Sequence, residues 1–298
     1  MEKVNKKYCD LRDFVGFVAF LVLLFPTPLI SQEYDLIILN GRVIDGSGNP
    51  WYQADIGVIG DRIMEIGNLS DKKAEHVIDA SGLVVSPGFI DPHTHALRGI
   101  FDVPNAESAL LQGVTTLTEG NDGSSPYPID RHYADIEDLR ISPNWAVFVG
   151  QGTIRQRVIG FGLRKASPQE MERMKQMVRD AMEQGALGIS TGLFYVPGSF
   201  TSTEEVIELS KVAAEYNGIY ISHMREEAAQ LIESVQETIR IGEEAGIPVQ
   251  ITHHKVIGVR NWGASIESLR LVDEARARGV DVTIDQYPYT CLLYTSPS

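Results

Sequence analysis

The sequence predicts an α/β fold preceded by a small all-β unit, and three observations carry that reading. From Tyr34 to about Val85, short apolar runs are separated by turn residues with no amphipathic helix between them. After His95, strand-like runs alternate with capped, amphipathic helical segments, the pattern of a parallel sheet or barrel. Five of the seven histidines fall at the ends of only three of the predicted strands.

Composition bounds the function. The 298 residues are 43% apolar and 22% charged, enough to bury a sizeable core. A net charge of −14 argues against nucleic acid, which is bound through basic patches. Cys9 and Cys291 are the two cysteines, so neither a disulfide framework nor a thiolate zinc cluster is available.

Residues 1–31 read as a signal peptide. Lys3, Lys6, Lys7 and Arg12 precede an apolar run from Phe14 to Phe25, Pro26 and Pro28 break it, and Ser31 suits a cleavage site. The run is short for a membrane-spanning helix, and an uncleaved N-terminal anchor is the rival reading. The expectation is an exported protein, periplasmic or extracellular, with no stable membrane association after cleavage.

Residues 32–85 form the small β domain. Asp35–Leu39 is a strand, Asn40-Gly41 a turn signal, and Arg42–Ile44 resumes; Ala54–Ile59, Arg62–Ile66 and Val77-Ile78 follow. Residues 86–290 form the β/α domain. Its first strand runs through Phe89-Ile90-Asp91 into His93. The later strands are Val114–Thr118, Trp145–Val149, Leu187–Thr191, Ile219–Ser222, Pro248–Thr252 and Val280–Ile284. Helices are expected over Ala106–Leu111, from the Ser167 capping box to Glu183, and over Thr203–Tyr216, Glu226–Ala245 and Ser265–Arg278. Seven strands are one short of a closed (β/α)8 barrel. The chain therefore reads as lacking its last unit, and residues 291–298 read as a non-native end.

Active sites of such barrels lie at the C-terminal strand ends. Strand one ends in His93 and His95, two residues apart and on one face of an extended chain, a spacing suited to Zn²⁺. Strand five ends in His223. Strand six ends in His253, His254 and Lys255; alternation from Val249 and Ile251 puts His253 and Lys255 on the inner face and His254 on the other, as a supporting or packing residue. A hydrolytic site also calls for an anionic ligand. Asp122, in the Gly-Asn-Asp-Gly turn after strand two, ranks first, with Glu119 as the alternative. His76 and His132 are expected in loops as surface residues.

The motifs SPGFIDPHTH, GVTTLTEGNDGSSP, ALGISTGLFY, YISHMREE, ITHHKVIG and DQYPYT occur in that order. Over residues 34–290 this series resembles the D-aminoacylase (N-acyl-D-amino-acid deacylase) branch of the metal-dependent amidohydrolase superfamily. The resemblance implies a small β-sandwich, built from both chain ends, beside a TIM-like barrel. It implies His223 and His253 as ligands of one tight zinc and His93 and His95 as a second, weaker site. Lys255 and Tyr195 match substrate-contacting positions, and Tyr287 joins that pocket.

Three departures stand out. Asp122 occupies the place of a bridging cysteine. Gln151 stands where members often carry histidine. The essential strand-eight aspartate and the carboxylate-clamping arginine are not in these 298 residues. The implied activity of the full-length protein is zinc-dependent hydrolysis of the amide of N-acyl-D-amino acids to a carboxylate and a free D-amino acid. The alternatives are a related amidohydrolase acting on a cyclic amide or a D-configured dipeptide, and a non-catalytic or truncated barrel. The implied partner is a small N-acylated amino acid or dipeptide.

Overall fold

The computed structural model of the chain describes residues 34–287. The signal-peptide segment and residues 291–298 lie outside the described residues. The chain divides after Pro87 into two compact units.

The first unit is a mixed five-stranded sheet of β1 (Tyr34–Val43), β2 (Tyr52–Ile59), β3 (Arg62–Gly67), β4 (Ala74–Asp79) and β5 (Val84–Val85). The order is β3-β2-β1-β4, with β5 also on β1. β1 is antiparallel to β2 and parallel to β4 and β5. Asn40-Gly41 does not make the expected turn. β1 runs through it with a bulge between Ile38 and Gly41, and Arg42 and Val43 still pair with β2. Asn40 absorbs the extra residue at φ 60°, and its backbone N–H donates to Asp55 Oδ1 at 2.7 Å. His76 lies within β4 rather than in a loop, and is exposed.

The second unit opens with three parallel strands, β6 (Phe89–Asp91), β7 (Val114–Glu119) and β8 (Asn144–Val147). Five more follow, all parallel: β9 (Val149–Gly150), β10 (Gly188–Gly192), β11 (Ile219–His223), β12 (Val249–Ile251) and β13 (Val282–Ile284). The expected strand at 145–149 is thus split. Phe148 alone separates β8 from β9, donating its N–H to the Glu119 carbonyl at 2.8 Å, so the two sheets follow one another in chain order.

Parallel neighbours need crossovers, and helices supply them. These are α1 (Glu107–Leu110), α2 (Ile129–Leu139), α3 (Gln151–Val158), α4 (Pro168–Glu183), α5 (Thr203–Ala214), α6 (Leu231–Ala245) and α7 (Ser265–Ala277). Reciprocal capping boxes open α4 (Ser167, Glu170) and α5 (Ser202, Glu205). α2 and α3 are additional to the expected helices; α3 buries Gln151 and Arg155 beside Ile154, so no apolar stripe announces it. α6 begins at Leu231 rather than Glu226, because Glu226 accepts from the Ala228 N–H in a local turn and Glu227 points inward.

His132 departs from its surface reading. It sits on α2 one turn after Ile129, is buried, and its Nε2 accepts from Trp145 Nε1 at 2.9 Å. Burial lowers its pKa, so it serves as a neutral packing group.

Buried residues of the helices (Ile154, Met174, Val178, Leu209, Val235) and strands (Ile189, Tyr220, Val249, Ile251) form one core, each large apolar side chain contributing about 1.5–3 kcal/mol. That core holds the strands in register, so their C-terminal ends open on one edge. Among the described residues no helix is long and apolar enough to cross a membrane.

Candidate metal centre

The strand ends bring together all five residues expected to hold metal. Asp122 stands in the middle. Its Oδ1 lies 3.6 Å from His93 Nε2, 3.6 Å from His223 Nδ1 and 3.8 Å from His253 Nε2, and its Oδ2 lies 3.5 Å from His95 Nε2. His223 Nδ1 and His253 Nε2 are 2.8 Å apart, a hydrogen-bond distance.

The backbone explains the convergence. Asp122 (φ 55°) and Gly123 (φ 75°) are both left-handed, which folds the chain sharply after β7. A Cβ on Gly123 would lie 2.7 Å from the Gly192 nitrogen, so only glycine lets this turn rest on β10. His253 reaches the site by a similar device. β12 ends at Ile251, and His253 turns at φ 38° with its N–H donating to Asp285 Oδ1 at 2.5 Å. His254 therefore points away and its Nε2 lies 2.9 Å from Ser268 Oγ on α7.

Glu119, the alternative acid, does not face the histidines. It accepts from Thr94 Oγ1 at 2.9 Å and from the Leu97 N–H at 2.8 Å, bracing the segment that carries His93 and His95. Burial pushes its carboxyl up. Gln151 also stays apart: it is fully buried and its Nε2 donates to Thr201 Oγ1 at 2.8 Å.

Electrostatics fit a cation. Burial opposes charge on Asp122, yet the imidazoles of His223, His253 and His93 outweigh it and hold the carboxyl far below the usual carboxylate range. Burial likewise opposes charge on His253, but Asp122 and Glu227 bring its pKa up to about 9. Both ring nitrogens of His93 and Oδ1 of Asp122 are buried without a hydrogen-bond partner among the described residues. Such atoms cost about 1–3 kcal/mol each when left unpaired. Two ligands of one tetrahedral zinc stand roughly 3.3–3.5 Å apart, close to the spacings around Asp122. The donor set of imidazole and carboxylate thus suits Zn²⁺. Ligand atoms of His93, Asp122 and His253, and of His223, Glu227 and His253, cluster within 4.8 Å.

Sequence reasoning missed Glu227 and Asp285. Glu227 is buried, with Oε1 2.9 Å from His253 Nδ1 and Oε2 2.6 Å from Lys255 Nζ. Burial works against its charge, but His253 and Lys255 prevail and lower its pKa. Glu227 sets a negative charge beside the His253 ring, whose Nε2 faces Asp122. Asp285 binds the His253 N–H, and its Oδ2 lies 3.9 Å from His93 Nδ1. Its position directly after β13, at a strand end, was the available signal.

The three expected substrate contacts surround this group. The Tyr195 ring lies 4.6 Å from that of His223. Lys255 Nζ lies 2.7 Å from His253 Nδ1 and 5.9 Å from the Tyr287 ring centroid. A cavity of about 450 Å³ opens beside Asp122, lined in part by His95, Arg98, Asn121, Thr153, Tyr195 and Pro197.

Parallel strands whose C-terminal ends gather imidazoles about a carboxylate define an α/β protein of amidohydrolase type. The chain belongs to the Amidohydrolase family, whose model matches residues 76–287. It is 43% identical over 282 residues to a D-aminoacylase of Alcaligenes xylosoxydans xylosoxydans, covering 87% of this chain and 58% of that protein. The crystal structure of N-acyl-D-glutamate deacylase from Bordetella bronchiseptica, complexed with zinc and a phosphonate mimic of the tetrahedral intermediate, superposes with a TM-score of 0.83 at 35% identity, covering 87% of this chain and 59% of that one. A D-aminoacylase structure concerned with the role of its binuclear metal centre gives a TM-score of 0.79 at 39% identity, over 86% of this chain and 59% of that one. The chain thus spans 58% of the length of the D-aminoacylase it matches.

Proposed function

We propose that the full-length protein is a zinc-dependent hydrolase that cleaves the amide of N-acyl-D-amino acids. The observation that carries this reading is the ring of His93, His95, His223 and His253 around Asp122, with Lys255 and Tyr195 at its margin. The similarity to D-aminoacylase supports the substrate class.

In this reading His223 and His253 hold the tighter ion, His93 and His95 the weaker, and Asp122 serves both. When bound, such an ion acts as a Lewis acid toward the amide carbonyl and makes water a nucleophile at neutral pH. The chain's own residues set the stage. Glu227 sets a negative charge beside the His253 ring, Asp285 holds its backbone, and Lys255, Tyr195 and Tyr287 take the substrate carboxylate or the oxyanion that develops at the carbonyl. Proton transfer to the leaving amine falls, by the family resemblance, to the strand-eight aspartate. The first unit is half of a β-sandwich, supported by the exposed apolar residues Ile63, Met64, Ile66, Val77 and Ile78. The charged and then apolar residues of 1–31 support export.

The test is turnover of N-acetyl-D-amino acids against their L-enantiomers by zinc-loaded full-length protein. Equal or preferred turnover of the L-forms overturns the stereochemical part. Activity surviving both His223→Ala and His253→Ala overturns the metal part.

A further inference from the structure

Arg225 follows His223 by two residues, and no part of the proposed chemistry uses it. Each of its three guanidinium nitrogens nevertheless donates a hydrogen bond. Nε and Nη2 donate to Glu237 Oε2 and Oε1 at 2.9 and 2.8 Å, a two-point grip from α6. Two further donors turn to the loop between β10 and α5, with Nη2 donating to the Thr201 carbonyl at 3.0 Å and Nη1 to the Ser199 carbonyl at 3.4 Å. Glu237 also accepts from Thr203 Oγ1 at 2.7 Å, at the end of the same loop.

That loop carries Tyr195. Inside it the Ser199 N–H donates to the Tyr195 carbonyl at 2.7 Å, and the Leu193 N–H donates to the His223 carbonyl at 3.1 Å. Tyr195 itself has a half-exposed ring lying against His223, and its hydroxyl makes no hydrogen bond among the described residues. Its position is therefore set by the loop backbone. Arg225 joins the strand that supplies His223 to the loop that supplies Tyr195.

We propose that Arg225, clamped by Glu237, is a positioning residue that fixes Tyr195 over the metal-binding histidines. The inference rests on the hydrolase reading for its kinetic consequence, and on the hydrogen bonds alone for its structural one. Lysine at this position keeps the charge but cannot span Glu237 and two carbonyls at once. Glutamine loses both.

The experiment uses zinc-loaded full-length protein and compares Arg225→Gln, Arg225→Lys, Tyr195→Phe and the double variant Arg225→Gln with Tyr195→Phe. Hydrogen exchange of the peptide 193–202 is expected to rise in Arg225→Gln and less in Arg225→Lys, with zinc content unchanged. On N-acetyl-D-amino acids Arg225→Gln is expected to raise KM about tenfold with kcat within about twofold, and to add little once Tyr195 is phenylalanine. Unchanged exchange over 193–202 in both Arg225 variants overturns the proposal, as do fully additive effects in the double variant or loss of zinc from Arg225→Lys. A wild-type protein that turns over no N-acyl-D-amino acid overturns the hydrolase reading, and the exchange measurement still decides the role of Arg225.

Discussion

Glu227 Oε1 and His253 Nδ1 stand 2.9 Å apart in a buried pocket, with Lys255 Nζ on the other carboxylate oxygen at 2.6 Å. The carboxylate gives both the His253 ring and Lys255 their counter-charge. Removing the charge while keeping the shape separates these effects from packing. Glu227→Gln is expected to weaken zinc binding about 10–100-fold with little change in secondary structure. Competition with a chelator measures it, and unchanged affinity would show that Glu227 serves Lys255 alone.

The same contacts make metal uptake pH-dependent. His253 has its pKa raised to about 9 by Asp122 and Glu227 against the opposing effect of burial. An imidazole ligates only when neutral, so an entering ion must displace this proton. Affinity of the metal-free protein should fall as pH drops below that value, about tenfold per unit for one proton, and level off above it. Zinc titrations at several pH values between neutrality and about 9 check this. A flat profile would mean that His253 is already neutral.

Asp122 offers a second handle on the metal. It occupies a left-handed turn position that asparagine also tolerates, so Asp122→Asn keeps the backbone and removes only the charge. Zinc affinity is expected to fall at both sites at once, because all four histidines face this one carboxylate. Asp122→Cys should raise selectivity for zinc over manganese, as a thiolate favours the softer ion. Competition between the two metals reads both effects, and loss of only one ion in Asp122→Asn would assign the carboxylate to that site.

How much of this was legible in the sequence depended on periodicity. Strands and most helices announced themselves, and their ends named the histidines, because a parallel sheet puts those ends on one edge. Alternation also favoured His253 over His254, although the deciding feature is a left-handed turn at His253 after β12 has ended. Asn40-Gly41 was ambiguous between a hairpin and a bulge, since both want a left-handed residue. His132 and Glu227 were not legible as buried groups, nor Asp285 as part of the site. Loops and polar helices carry no repeat, and the partners of these side chains are residues such as Trp145, Lys255 and Gln250, far along the chain for two of the three.

Glu205 shows what such non-local polar contacts contribute to stability. Its Oε1 accepts from the Ala166 N–H at 2.7 Å and faces Arg155 Nη1 at 3.5 Å, and its Oε2 accepts from the Ser202 N–H at 3.0 Å to close the α5 capping box. Arg155 has no solvent exposure, so truncating Glu205 leaves a buried cation with no counter-charge, held only by the Gly162 and Arg164 carbonyls. Glu205→Ala should cost about 3–5 kcal/mol, the scale of a broken buried pair, rather than the ~1 kcal/mol of a lost cap. Arg155→Met combined with Glu205→Gln removes both charges and keeps the capping geometry, so it should recover most of that loss. Denaturant unfolding followed by far-UV circular dichroism measures all three. A double variant no more stable than Glu205→Ala would mean that the Ala166 and Ser202 contacts, not the ion pair, carry the energy.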